Sequence, residues 1–101
     1  MLNASHDQFI IFRSDFNQIT VLHKPTKNLA YQLNIGLPVY ALDLINNSLI
    51  LGLTSDLYKF DVVNRQLQSK ISLASAPYSI THNRSFIIVG TYRGTVDLYD
   101  Y

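Results

Sequence analysis

Apolar positions in this chain come in short runs and alternations, broken at nearly even intervals by turn-forming residues. Residues 9–13 (FIIFR), 18–23 (QITVLH) and 29–35 (LAYQLNI) are rich in β-branched and aromatic side chains. Ser14, Asp15 and Asn17 separate the first two runs, and Pro25 to Asn28 separate the second and third. Pro25 has no amide hydrogen for a strand ladder, so it fits a connection. From Pro38 the rhythm resumes with 39–44 (VYALDL), 49–54 (LILGLT), 57–62 (LYKFDV) and 67–73 (LQSKISL), divided at Asn46-Asn47-Ser48, Ser55-Asp56 and Asn64-Arg65. Then come 78–82 (YSITH), 86–91 (FIIVGT) and 95–100 (TVDLYD), divided at Asn83-Arg84-Ser85 and Arg93-Gly94. No stretch of ten or more residues carries a helical period. The pattern predicts an all-β chain of short antiparallel strands joined by tight turns.

These runs repeat. Slid by 38, Leu29 falls on Leu67, Leu33 on Ile71, Ile35 on Leu73 and Tyr40 on Tyr78. Slid by 77, Ile11 falls on Ile88, Ile19 on Val96, Val21 on Leu98 and Leu22 on Tyr99. Self-similarity at such a spacing marks units that stack on one another. Four strands in about 40 residues is the size of one blade of a β-propeller. The expected division is blade 1 over residues 1–36, blade 2 over 37–74 and an incomplete blade 3 over 75–101. Blade 1 reaches four strands only if residues 1–5 supply a weak inner one.

In the second and third copies the third strand closes on an aromatic followed by Asp: Phe60-Asp61 and Tyr99-Asp100. Gly52 in LGLTSD and Gly90 in VGTYRGT stand upstream, and Gly94-Thr95-Val96 follow in the third copy. This resembles the WD-repeat pattern, in which a strand ending in small residues meets a turn and then a strand closing on Trp-Asp. VGTYRGTVDLYD is the fullest match, and LILGLTSDLYKFD is one residue shorter at the turn. The chain departs from the family in having no Trp and no opening Gly-His pair, with Leu22-His23 in place of the aromatic and Asp of the first copy. The family's buried His–Asp–Ser/Thr–Trp network is therefore not carried over. What the resemblance implies is architectural: Phe60 and Tyr99 pack between blades, Asp61 and Asp100 cap the following turn, and Gly90 and Gly94 shape the hairpin.

Composition narrows the function. The seven acidic residues are all Asp, and eight Lys and Arg leave a net charge of +1 with no basic stripe for nucleic acid or anionic lipid. Without cysteine there is no disulfide or thiolate metal site. No apolar run approaches the roughly 20 residues of a membrane helix, and no signal-peptide pattern follows Met1. The expectation is an intracellular protein, cytoplasmic or nuclear, that binds neither nucleic acid nor membrane. His6, His23 and His82 lack metal-ligand spacing, the carboxylates lie in or beside turns, and no nucleophile elbow or phosphate loop is present. No catalytic, cofactor or metal residue is therefore nominated, and no cofactor is expected.

The reading that remains is a non-catalytic protein–protein interaction scaffold, as an adaptor or substrate-receptor part of a larger complex. Its contacts are expected at the turn residues Asp56, Tyr92 and Arg93. The alternatives are a fragment of a propeller enzyme, and a structural piece that completes a partner's ring. TVDLYDY would form an exposed edge, so self-association or strand pairing through residues 95–101 is also expected.

Overall fold

The computed structural model describes residues 2–101. Among these, eleven strands and no helix form three antiparallel sheets, each running in plain up-and-down order. The first sheet contains β1 (Asn3–Ser5), β2 (Phe9–Asp15), β3 (Gln18–His23) and β4 (Leu29–Asn34). The second contains β5 (Ala41–Ile45), β6 (Ser48–Gly52), β7 (Asp56–Asp61) and β8 (Gln66–Ser72). The third has β9 (Pro77–His82), β10 (Phe86–Thr91) and β11 (Val96–Asp100). The first strands meet across the sheets, β1 beside β5 and β5 beside β9. The sheets thus radiate, face against face, from a line of inner strands. This is a propeller-like array of three blades that does not close into a ring.

The ladder register explains the repeat. Leu22 pairs with Ile10 and Leu29, Phe60 with Leu49 and Leu67, and Tyr99 with Ile87. Leu22, Phe60 and Tyr99 therefore hold one structural position. A bulge sits at that position in the first two sheets, between Val21 and Leu22 and between Lys59 and Phe60. The turn that follows repeats as well: Lys27 and Arg65, at matching places in the two copies, take φ of 60° and 59°.

Because strand side chains alternate between faces, the second sheet, which lies between the other two, is packed on both sides. The first sheet turns Phe9, Ile11, Ile19 and Val21 toward Leu49, Leu51 and Phe60 of the second. From its opposite face the second sheet turns Ile50 and Leu57 toward Ile87 and Val89 of the third. LILGL is apolar at every position for this reason: Leu49 and Leu51 serve one seam, and Ile50 serves the other. Gly52 lies where β6 approaches β9. A Cβ there would stand 2.7 Å from Pro77 Cγ and 2.9 Å from Ile80 Cδ1.

Polar bonds fasten the same seams. His6 is buried, and its Nδ1 accepts the Gln8 amide at 3.0 Å. That leaves Nε2–H to donate to Asn47 Oδ1 of the second sheet, at 2.7 Å. Arg13 Nη1 donates to the Val39 carbonyl at 2.7 Å. At the second seam His82 Nδ1 meets Asp43 Oδ2 at 2.5 Å. No helix is long and apolar enough to cross a membrane.

Candidate functional site: an aromatic rim at one end of the blades

In an up-and-down sheet the β2–β3, β6–β7 and β10–β11 turns open at the same end as the links between blades. The β10–β11 turn is well fixed there. Tyr92 N donates to the Ala76 carbonyl at 3.0 Å, and Gly94 N to the Thr91 carbonyl at 3.0 Å. The hydroxyls of Thr91 and Thr95 meet at 2.6 Å. Gly94 has φ of +82°, a conformation that side-chain-bearing residues adopt only with strain.

This turn presents Tyr92, a residue 67% exposed, with its ring edge-on to Tyr78 at 5.6 Å and to Tyr40 at 6.4 Å. Tyr40 and Tyr78 immediately precede or open the inner strands of their blades, so the three rings form a cluster across the second seam. Arg93 is exposed beside Tyr92. Over the first seam, the Arg13 guanidinium lies 5.3 Å from the ring centre of Phe16, an exposed residue. The Val39 amide donates to the Phe16 carbonyl at 2.7 Å, tying that turn to the next blade. Tyr and Arg on rigid backbone, with little entropy to lose on docking, are the residue types that dominate protein interfaces.

Of the sequence-predicted contact residues, Tyr92 and Arg93 lie in this rim. Asp56 lies at the same end, half-buried at the start of β7, and its carbonyl accepts the Leu53 amide at 2.9 Å. It joins none of the aromatic contacts. Tyr40 and Tyr78 are legible in sequence only as a repeated pair, while Arg13 and Phe16 carry no sequence signal, because their role depends on which blade end they occupy.

The predicted architectural residues fall elsewhere. Phe60 is buried in the first seam, and Tyr99 is half-buried against the Ile50–Leu57 cluster in the second. Asp61 Oδ1 accepts the amides of Val63 and Asn64, both at 2.9 Å, and Oδ2 accepts Asn64 Nδ2 at 3.0 Å. Hydrogen bonds from Asn64, foremost its backbone amide, hold the Asp61 carboxyl below the usual carboxylate range. Asp100 is exposed at the end of β11 opposite Phe86. A Cβ at Gly90 would meet Ser79 Oγ at 2.6 Å.

The turn that Asp61 caps also closes on the first blade. Tyr31 Oη donates to the Val62 carbonyl at 2.5 Å, and the Arg65 guanidinium lies 4.5 Å from the Tyr31 ring centre. Burial raises the Tyr31 phenol above its ordinary value of 10.0 against the opposing pull of Arg65, with Asp61 adding a smaller rise. Burial, then Asp97, raises Tyr99 as well. A raised phenol contributes stability that is complete below pH 10 and is lost as pH climbs through the folded-state value. Thermal melts should therefore show the melting temperature falling above about pH 10. The alkaline loss should shrink in Tyr31→Phe, which should also be about 1 kcal/mol less stable at neutral pH for want of the seam hydrogen bond. Identical alkaline profiles would show that Tyr31 does not fasten the seam.

The cleft between the second and third sheets, about 320 Å³, is lined mainly by Ile45, Asn46, Asn47, Ser48, Gln68 and Tyr101, with Lys59 and Asp61 its charged side chains. Among the described residues no group of three or more His, Asp or Glu is placed to share a metal ion.

No family model matches the chain, and no curated protein matches it. Solved structures do. The computationally designed Ika4 protein superposes with a TM-score of 0.79 at 14% identity, over 97% of this chain and 63% of that one. The designed Ika8 protein gives 0.79 at 14% identity, over 97% and 32%. Sqt1 of Saccharomyces cerevisiae gives 0.80 at 10% identity, over 94% and 28%. The likeness is one of fold, and the chain spans less than two thirds of each of these proteins.

Proposed function

We propose that this chain is a WD-repeat-type propeller segment that acts as a non-catalytic interaction scaffold, docking segments of other proteins on the Tyr40–Tyr78–Tyr92 rim. The observation that carries the reading is the cluster of three tyrosines flanked by Arg93, with Tyr92 held on a turn fixed by hydrogen bonds from the amides of Thr91, Tyr92, Gly94 and Thr95. Aromatic area kept in water by rigid turns serves recognition better than it serves solubility. The Phe60-Asp61 and Tyr99-Asp100 endings support the WD-repeat assignment, as does the superposition on Sqt1, a WD-repeat protein. An adaptor or substrate-receptor place in a larger complex is consistent with such a rim.

The test is selection of a random peptide library on the purified chain. Enriched peptides should carry acidic residues to meet Arg93, and Tyr92→Ala should weaken their binding at least about tenfold, as loss of an interface anchor does. Arg84→Ala, at the opposite end of the blades, should leave binding unchanged. Peptides that bind Tyr92→Ala and Arg93→Ala as well as the natural chain would refute the reading.

A further inference from the structure

The two seams inside the molecule show how one blade receives the next, and the same surfaces recur, uncovered, at its two flanks. Each sheet has a rear face toward the preceding blade and a forward face toward the following one. On the rear face, Leu49 and Phe60 of the second sheet are buried against the first, and Ile87 and Tyr99 of the third pack on the second. The residues in register with them on the first sheet are Ile10 and Leu22, and they face no described blade. On the forward face, Ile11, Ile19 and Val21 of the first sheet are fully buried. Their counterparts in the third copy, Ile88, Val96 and Leu98, occupy the outer face of the third sheet, where Val96 is 68% exposed and Leu98 is 56% exposed.

Charge tells the same story. An antiparallel sheet that faces water ordinarily alternates apolar with polar and charged positions. Asp15, paired with Gln18 at the end of β2, is the single charged strand residue that the register puts on the rear face of the first sheet; Ile10, Phe12 and Leu22 are accompanied there by uncharged side chains such as Thr20 and Gln32. Asp100 is the single charged residue among the strand positions on the forward face of the third sheet. Depletion of charge with retention of apolar bulk is the composition of an interface core.

We propose that the occupant of both faces is a second copy of this chain. The forward face of the third sheet docks on the rear face of the partner's first sheet, and the partner returns the same contact. A contact between two different faces closes only if its rotation closes. Two three-bladed arcs related by a twofold axis do so as a ring of six blades, within the four to eight that propellers use. The two new seams then repeat the two already present, with Leu22 taking the place that Phe60 and Tyr99 take inside each copy. This inference rests on the blade packing alone and is independent of the rim.

Multi-angle light scattering across a dilution series of the full chain should give twice the mass of one chain. Leu22→Lys and Leu98→Asp each place a charge in both seams of a homodimer and should each raise the dissociation constant at least about 100-fold. Far-UV circular dichroism should show both variants still folded as β-sheet, since Leu98 is already exposed and Leu22 faces away from the cores. Mixing the two variants is the decisive measurement. In the mixed dimer one seam pairs the Lys with the Asp and the other is natural, so the dimer should return. A monomeric natural chain overturns the proposal. So does a dimer that ignores Leu22→Lys, which would mean like faces or β11 edges pairing with each other, and so does a mixture that stays monomeric.

Discussion

Phe60→Ala is expected to destabilise the chain by about 3–5 kcal/mol, the usual range for emptying the place of a buried aromatic. Phe60 is 9% exposed and contributes to a single cluster with Phe9, Ile11, Ile19 and Val21 of the preceding blade. Its removal therefore opens a void between sheets. Strands β3 and β7 hold their hydrogen-bond partners within their own sheets and give the seam no backbone bond there. The seam depends on side-chain volume, and small domains have only about 5–15 kcal/mol in total. Urea unfolding followed by circular dichroism reads the change directly. Phe60→Leu, which keeps most of the volume, should lose far less. Equal losses for the two variants would mean that the seam does not depend on filling that volume.

Gly52→Ala is expected to destabilise by about 1–3 kcal/mol, as overpacking does in a dense interior, and Gly90→Ala by clearly less. The two glycines are equivalent, holding the same place in successive copies, each near the end of the second strand of its blade. Their surroundings separate them. The added methyl at Gly52 would stand 2.7 Å from Pro77 Cγ, part of a ring that cannot rotate away and that anchors the inner strand of the next blade. The added methyl at Gly90 would meet Ser79 Oγ at 2.6 Å, and Ser79 is exposed and can change rotamer. Paired thermal melts of the two variants decide the matter. A Gly90→Ala loss as large as that of Gly52→Ala would show that the close approach of β6 to Pro77 is not what selects glycine.

Much of this architecture is legible in the residues. The strand runs at 9–13, 18–23 and 86–91 lie within or match β2, β3 and β10, and the weak inner strand expected in residues 1–5 is β1. The predicted run 39–44 begins late, at Ala41, because Val39 and Tyr40 are spent on the link: their amides bond the Phe16 and Gly52 carbonyls. The sheets contain four, four and three strands in chain order. What periodicity does not convey is which end of a blade a side chain occupies. Tyr92 and Arg93 stand out because they punctuate a turn; Tyr40, Phe16 and Arg13 do not, because local pattern is blind to neighbours one blade away. His6 shows the same gap. In sequence it is an ordinary polar residue beside a turn, and in the fold it is buried, with both ring nitrogens bonded. Contacts across a seam depend on how sheets stagger, and that is a property of pairs of blades.

The up-and-down order of the sheets also bears on how the chain reaches its native state. Every ladder joins strands consecutive in the chain, and sheets pack against those next in order. Contacts between segments apart in sequence run from strand to next strand or from blade to next blade, so no loop much longer than one blade has to be closed. A nascent chain leaving the ribosome can complete its first hairpins while later ones are still being made, each finished unit templating the one behind it.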